Sequence, residues 1–427
     1  MRGAPRLSRS LCQSLYLGLA WLWGWSGRWH PKGDHRDPKA IITAPGQSPR
    51  LWLHAGTRAG LDTAVPLARD WQSRHPGAGV IVTVRSQAAL VEAQAILDSH
   101  TLVTPLPQDT PAAARRFLVS GAPDVALCLG PAPWPALSRA LAQRGIPWFW
   151  LITQVLPAPW RWLDRLPCLF RPALARADRL LVGHDDDRDA LLARNVAEDH
   201  IEVTGSPLLD HDPPPERKAA RRLRSALGGR PILFFEGTEP GEEELLAGVC
   251  RHLPPPFEHW LMVLAPSEPA RIPALAERLA RFELGLAVAS QGEALTPSTH
   301  VYLLDDPEQR GPLLAAADVV VLGGTWVQGH KGADPRAAAA AGRGILYGPY
   351  LQRHREAVRV LDSAGGARQA ANVNNLLAAL RQWLQHPGEA EAAGRRGREA
   401  VRPHRGSHER VLQALEQPLE HGGDHTP

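Results

Sequence analysis

Lysine is nearly missing from this 427-residue chain, occurring only at positions 32, 39, 218 and 331. Arginine therefore supplies 48 − 4 = 44 of the basic residues. Guanidinium forks suit bidentate phosphate and carboxylate partners, although a GC-rich coding sequence gives the same Arg, Ala and Pro excess without functional meaning. Neither sign of charge dominates: 48 − 44 leaves +4, too little to infer nucleic-acid binding from charge. Cysteine is also scarce, and Cys12, Cys128, Cys168 and Cys250 stand singly. No pair has metal-ligand or redox spacing, which excludes a disulfide scaffold and fits a reducing compartment. At 44% hydrophobic and 22% charged, the chain is neither disordered throughout nor a polytopic membrane protein. With roughly 150 residues per domain as the guide, its length suggests two domains.

No apolar run reaches the ~20 residues of a spanning helix. The best one, residues 11–25, includes Gln13 and Ser14 and lies between Arg2, Arg6 and Arg9 on one side and Arg28 and Lys32 on the other. A signal peptide has the same charged start, but Trp21, Trp23, Trp25 and Trp29 stand where a small-residue cleavage site belongs. Indole rings favour the headgroup region, and flanking Arg favours anionic cytoplasmic lipid. Residues 1–35 thus read as an uncleaved anchor helix, lying in or just crossing the inner face of a membrane. An amphipathic helix packed on its own domain is the alternative.

From residue 51 onward, apolar strands alternate with helices. Strands are expected at 51–54, 80–84, 125–129, 148–152 and 180–182, with helices at 63–74, 88–97, 112–119, 136–144 and 172–177 between them. The alternation breaks at Asp212-Pro213-Pro214-Pro215, which leads into a basic helix at 216–224. It resumes with strands at 232–235, 260–264, 301–304, 319–322 and 345–347, and a last helix at 407–415. Such alternation means βαβ units around buried parallel sheets. The fold class is therefore α/β, with two doubly wound halves and a ligand cleft between them, where strand C-termini and helix N-termini gather. The divisions are 1–35 anchor, 48–210 first domain, 211–230 linker, 231–402 second domain, 403–420 C-terminal helix and 421–427 frayed tail.

Two loops of the second half suit an anion. The first is Gly237-Thr238-Glu239-Pro240-Gly241, followed by Glu242, Glu243 and Glu244. Small residues before a helix expose backbone N–H groups at the positive end of its dipole, though these three carboxylates already complement it. The second is Gly323-Gly324-Thr325, which reaches a helix through Gly332-Ala333-Asp334-Pro335. Its glycines would let a nucleotide approach the backbone. Neither loop is a Walker or dinucleotide fingerprint. His184-Asp185-Asp186-Asp187 has metal-ligating residue types, but between a strand and a helix it reads as a cap with an acidic first turn. His252, His259, His300, His354, His404 and His408 are isolated. No metal and no cofactor is expected.

The ordered segments resemble a known family. They are Trp52-Leu53-His54-Ala55, residues 64–67, Pro123-Asp124, Trp134-Pro135, Arg144-Gly145-Ile146-Pro147, Phe170-Arg171-Pro172, Val203-Thr204-Gly205, Gly241-Glu242-Glu243-Glu244, Gly323-Gly324 and Gly348-Pro349. Spread over residues 51–415, they resemble the bacterial Kdo transferases. That family attaches 3-deoxy-D-manno-octulosonic acid (Kdo) from CMP-Kdo to a lipid A precursor. The resemblance implies a GT-B architecture, an acceptor-type first domain and a nucleotide-sugar-type second domain. It also implies an N-terminal anchor at the cytoplasmic face of the inner membrane. Its partners are a CMP-sugar donor, a lipid A precursor and inner-membrane lipid, with no nucleic acid.

The reactive positions depart from the family pattern. Where the family has Ser-x-Gly-Glu, with Glu as the base, this chain has Thr57-Arg58-Ala59-Gly60. Asp62 is the nearest carboxylate and the candidate catalytic base, with helix capping as its other reading. The Glu-Thr-Glu before Trp-Pro is Gly130-Pro131-Ala132-Pro133, and Asn-Ala-Arg-x-Ser is Thr153-Gln154-Val155-Leu156-Pro157. On the donor side, Ser-Thr-His-Glu-Gly is Gly237-Thr238-Glu239-Pro240-Gly241, and Pro-Arg-His-Pro is Pro266-Ser267-Glu268-Pro269. The resemblance makes Thr238, Gly241, Gly323, Gly324, Thr325, Asp334 and Pro335 the donor-binding candidates. Glu239, Glu268 and Asp334 stand where cationic or donor groups are expected, which predicts repulsion of a CMP phosphate and weak CMP affinity. Two readings follow: a divergent glycosyltransferase of lipopolysaccharide assembly, or a catalytically silent member that binds or scaffolds at the membrane.

Overall fold

Buried β-branched and aromatic runs, each followed by a capped helix, place every neighbouring pair of strands parallel. The computed structural model describes residues 46–130, 134–152, 174–212, 217–243, 259–282, 285–292, 295–330, 332–351 and 354–421, with 245, 246, 248 and 252. The expected anchor at 1–35, the loop at 153–157 and most of the tail lie outside the described residues. Among them, no helix is long and apolar enough to cross a membrane.

The chain divides into two compact units, residues 1–208 with 406–427, and residues 209–405. In the first unit come β1 (Gln47–Ala55), α1 (Arg58–Arg74), β2 (Ala78–Val84), α2 (Gln87–Ile96), β3 (Thr101–Pro105) and α3 (Pro111–Gly121). They are followed by β4 (Val125–Leu129), α4 (Pro135–Gln143), β5 (Trp148–Ile152), β6 (Arg179–Val182), α5 (Asp185–Leu192) and β7 (Ile201–Val203). The sheet order is β3-β2-β1-β4-β5-β6-β7.

The second unit opens with α6 (Arg217–Ala226), β8 (Ile232–Thr238), β9 (Leu261–Pro266), α7 (Ile272–Leu279), β10 (Gly285–Val288) and β11 (Thr299–Leu303). Next are α8 (Arg310–Ala316), β12 (Val319–Leu322), α9 (Pro335–Ala340), β13 (Gly344–Tyr347) and α10 (Arg355–Ser363). It closes with β14 (Ala367–Gln369), α11 (Val373–Gln385) and α12 (Pro387–Val401). Its sheet runs β10-β11-β9-β8-β12-β13-β14. The strand order therefore reverses beside β1 in one sheet and beside β8 in the other, the positions where open α/β sheets form ligand crevices.

One device recurs in both sheets. Asp124, just before β4, accepts the Arg50 N–H at 2.6 Å, and Asp318, just before β12, accepts the Ile232 N–H at 2.8 Å. Asp178 does the same for Trp148 at 2.8 Å. Each carboxylate satisfies a backbone donor that the ladder leaves over at the strand entrance.

The last helix, α13 (Ser407–His421), returns to the first unit. Val411, Leu412, Ala414 and Leu415 are buried against the β1–α1 core that includes Leu51, Leu53 and Trp71. Glu416 pairs with Arg74 at 3.3 Å and with His75 at 3.1 Å, and Arg410 donates to the Thr204 carbonyl at 2.8 Å. The helix is longer than expected because the apolar period continues to Leu419, which packs on the same core. Likewise α1 starts at Arg58 rather than residue 63, since Thr57 supplies the N-cap: its Oγ1 accepts the Gly60 N–H.

Candidate active site

The end of β1 carries His54-Ala55-Gly56-Thr57 into α1. His54 is 1% exposed, with Nδ1 2.9 Å from Thr83 Oγ1 and its ring edge-on to Trp134, 4.5 Å away. Trp52 Nε1 donates to the same hydroxyl at 3.0 Å. Burial, helped by the Arg85 charge, holds the imidazole pKa well below its ordinary value, against the Thr83 hydrogen bond, so His54 is neutral at pH 7. Its Nε2 is buried without a hydrogen-bond partner. In the sequence His54 is only one residue of a motif; its polar burial shows only in three dimensions. Cys128, in the next strand, is also buried, which pushes its thiol pKa up and leaves it unreactive.

Gly60 lies in the first turn of α1, and its surroundings do not admit a side chain. A Cβ there would meet the Leu129 carbonyl oxygen at 2.8 Å and the Ala55 Cα at 3.3 Å. The same carbonyl accepts the Gly56 N–H at 3.2 Å, so β4 is pinned against this turn. Asp62 is exposed and points into a surface ion-pair chain. Its Oδ1 lies 3.2 Å from Arg58 Nε, and Arg58 Nη1 is 2.6 Å from Glu92 on α2. Exposed pairs of this kind are worth about 0–1 kcal/mol, so Asp62 is free to exchange partners.

In the second unit, the structure gathers the predicted donor residues at the ends of the neighbouring strands β8 and β12. A Cβ on Gly323 would lie 2.4 Å from the Gly237 carbonyl oxygen, and one on Gly237 would lie 2.9 Å from Ala333 Cβ. Ala333 N donates to the Gly323 carbonyl at 2.9 Å, which carries Asp334 and Pro335 to the same place. Gly324 has φ +67°, a left-handed conformation that favours glycine.

Their hydrogen bonds are largely internal. Glu242, fully buried, accepts the N–H groups of Gly324 at 2.6 Å, Trp326 at 2.7 Å and Glu239 at 2.9 Å. This carboxylate fills the anion seat that the loop offers. Thr325 Oγ1 donates to the Leu322 carbonyl at 2.7 Å and accepts the Gly348 N–H at 2.8 Å, tying β12 to the end of β13. Gly241, at φ +91°, turns the chain into the Glu242–Glu243 turn. Thr238 is the exception: its buried hydroxyl lies beside Glu243 without hydrogen-bond geometry.

The charges here are paired more than the sequence implied. Burial favours the neutral form of Asp334, but Arg336, with Nε 2.9 Å from both carboxylate oxygens, overcomes it and lowers the pKa. Asp334 therefore presents an ion pair to a ligand, so its contribution to the expected repulsion falls. Glu239 lies 3.7 Å from His330, while Glu268 is exposed. Arg271 Nη2 bonds Glu243 at 2.7 Å.

Glu236, on β8 beside Gly237, went unremarked in the sequence. Burial, reinforced by Asp334, pushes its pKa up to about 7 against the pull of Arg310. Arg310 Nη1 lies 3.3 Å from Oε1, while Oε2 is buried with no partner. A carboxylic acid after a run of buried strand residues was the available signal. Elsewhere, Asp185, Asp186 and Asp187 form the first turn of α5, and no group of ligand residues is placed to hold a metal among the described residues.

Comparison with known proteins covers both units. Residues 28–210 match a family described as "3-Deoxy-D-manno-octulosonic-acid transferase (kdotransferase)". The chain is 29% identical over 419 residues to a 3-deoxy-D-manno-octulosonic acid transferase of Bordetella pertussis, covering 93% of this chain and 96% of that protein. It is 21% identical to that of Rickettsia felis, covering 78% and 71%. Among solved structures, the C-terminal CMP-Kdo binding domain of WaaA from Acinetobacter baumannii is 19% identical and covers 43% of this chain and 97% of that one, with a TM-score of 0.40. The chain is thus similar to Kdo transferases through nearly the whole length of one of them, and the similarity takes in both units.

Proposed function

We propose that this protein is a glycosyltransferase of GT-B architecture that moves Kdo, or a closely related sugar acid, from a CMP-activated donor to a lipid A precursor. The observation that carries the reading is end-to-end similarity to the Bordetella pertussis transferase, which spans both units rather than one. The first unit takes the acceptor. The second takes the nucleotide at the β8 and β12 loops, where Thr238 keeps an unused hydroxyl and Arg310 is only partly neutralised by a carboxyl with a raised pKa. Residues 1–35 anchor the chain at the cytoplasmic face of the inner membrane, where the lipid acceptor resides.

Sugar transfer to a hydroxyl needs a base near it, and such a base contributes about 10²–10⁴-fold. Gly60 cannot serve. Asp62 is the nearest carboxylate, one turn into α1, exposed and paired with an exposed arginine. We assign it the role of relocated base. The test is full-length protein in detergent with CMP-Kdo and a tetraacyl lipid A precursor, with product read by mass spectrometry. Wild type should give product, and Asp62→Asn should cut the rate at least 100-fold. Product unaffected by Asp62→Asn removes that residue and keeps the reaction. Absence of product with wild type leaves the non-catalytic binding role.

A further inference from the structure

A concavity of about 590 Å³ lies at the end of the second unit's sheet opposite the β8 and β12 loops. Its floor is the segments that enter β8, β9, β12 and β13, and its rim is α6 and α12. Five guanidinium groups, Arg221, Arg224, Arg343, Arg395 and Arg398, face two carboxylates, Asp318 and Glu391. The local balance is 5 − 2 = +3. Both carboxylates are paired: Arg224 Nη2 lies 3.0 Å from Asp318, which also binds the Ile232 N–H, and Arg395 Nη1 lies 3.9 Å from Glu391. Neither Arg221 nor Arg398 pairs with a carboxylate among the described residues.

Arg343 reports the strain. Its Nη2 donates to the Ala315 carbonyl, but its Nε is buried with no partner. Burial lowers its pKa, and the charges of Arg224 and Arg398 push the same way, against Asp318 and Glu391. Like charges gathered in a partly dehydrated hollow are costly unless a counter-ion joins them. The apolar faces of Trp260 and Trp383 form part of the wall, so the hollow is more than a charged surface. On the same helix as Arg221, Lys218 and Arg222 line an adjoining depression and extend the positive field.

We propose that this concavity is a binding site for a phosphate-bearing ligand with at least two negative charges. Guanidinium forks match phosphate oxygens bidentately, and several such groups in one hollow hold a multiply charged head better than a monoanion. The ligand's apolar part lies on the tryptophan wall. This site stands apart from the β8 and β12 loops, at the other end of the strands, and does not depend on the transferase reading. Its ligand is either a soluble phosphate compound or a phospholipid headgroup.

The test uses inorganic pyrophosphate as probe and full-length protein in detergent, by titration calorimetry. Arg221 and Arg398 are exposed, so the Arg221→Ala/Arg398→Ala double variant removes charge without opening the core. Wild type should bind saturably, the alanine variant at least tenfold more weakly, and Arg221→Lys/Arg398→Lys in between. Absent binding, or equal affinity in wild type and alanine variant, overturns the proposal; the latter places the anion elsewhere, including at the donor loops. Sedimentation with cardiolipin-containing vesicles, whose headgroup carries two phosphates, or with pure phosphatidylcholine vesicles separates the two sources. If wild type binds the anionic vesicles more than the alanine variant does, and pyrophosphate removes that difference, the ligand is a headgroup. If the two proteins sediment alike while pyrophosphate binding still depends on the arginines, it is soluble.

Discussion

The Leu129 carbonyl oxygen stands where the first carbon of any side chain at Gly60 would have to go, 2.8 Å from it. The base position of the family is thus closed as well as empty, because β4 has settled against the first turn of α1. An Ala for Gly in a helix ordinarily stabilises by about 1 kcal/mol. Here the contact is with backbone, which cannot swing aside, and overpacking of this kind costs about 1–3 kcal/mol. Gly60→Ala should therefore lower the urea midpoint, and Gly60→Glu should lower it further without increasing sugar transfer. A stabilised Gly60→Ala protein would contradict the closed geometry.

Glu242 should be the most sensitive carboxylate in the second unit. It accepts three backbone N–H groups, and Glu242→Ala would leave those of Gly324 and Trp326 buried without partners. Charge-assisted bonds contribute about 1.5–3 kcal/mol each and are not additive, so a loss of at least ~3 kcal/mol is expected in denaturant unfolding. Amide exchange at Gly324 and Trp326 should accelerate. Because the seat is shaped for a carboxylate, high formate should restore part of the stability of Glu242→Ala and none of the wild type's. Equal effects of formate on both proteins would argue against this role.

Much of the fold was legible because interior strands bury both faces and read as apolar runs: Val125–Leu129, Trp148–Ile152 and Val319–Leu322 fall where the runs predict. The strands missed were β3, β7, β10 and β14, which are the edges of the two sheets. An edge strand has one neighbour and need not be apolar; Ala367-Arg368-Gln369 shows no strand pattern at all. The site was legible as a place, since its glycines mark both loops. Its charges were not. Asp334 and Arg336 are two positions apart, yet their pairing needs the cap geometry of α9. The seat taken by Glu242 joins residues 82 positions apart.

His54 should set part of the acid limit of stability. Its folded pKa is held down chiefly by burial, then by Arg85. Above about pH 6.5 the ring is neutral in folded and unfolded chains alike and makes no difference. As pH falls below that value the unfolded chain takes up a proton that the folded one refuses, and stability drops by about 1.4 kcal/mol per unit down to the folded pKa. His54→Gln keeps a polar atom for Thr83 and should flatten the stability profile between pH 6.5 and 5. An unchanged slope would mean that another group sets it.

Glu236 should work in the opposite direction. Burial, with help from Asp334, raises its pKa from 4.5 to about 7 while Arg310 pulls it down. Below pH 4.5 the carboxyl is protonated in both states and contributes nothing to the pH dependence. Between 4.5 and about 7 the unfolded chain loses its proton first, so stability falls as pH rises, by about 1.4 kcal/mol per unit. Over the whole interval that is about 3 kcal/mol, and the loss then stays constant at higher pH. Glutamine copies the shape of the protonated acid and cannot ionise. Glu236→Gln should therefore be nearly neutral to stability at pH 4 and stabilising by up to about 3 kcal/mol at pH 8, measured by urea unfolding at both. It should also leave Arg310 unpaired at every pH, so CMP affinity at pH 8 should rise relative to wild type, with the gap closing toward pH 6 as the wild-type carboxyl takes up its proton. Equal destabilisation at pH 4 and pH 8 would show that Glu236 is ionised in the fold and that its pair with Arg310 is structural.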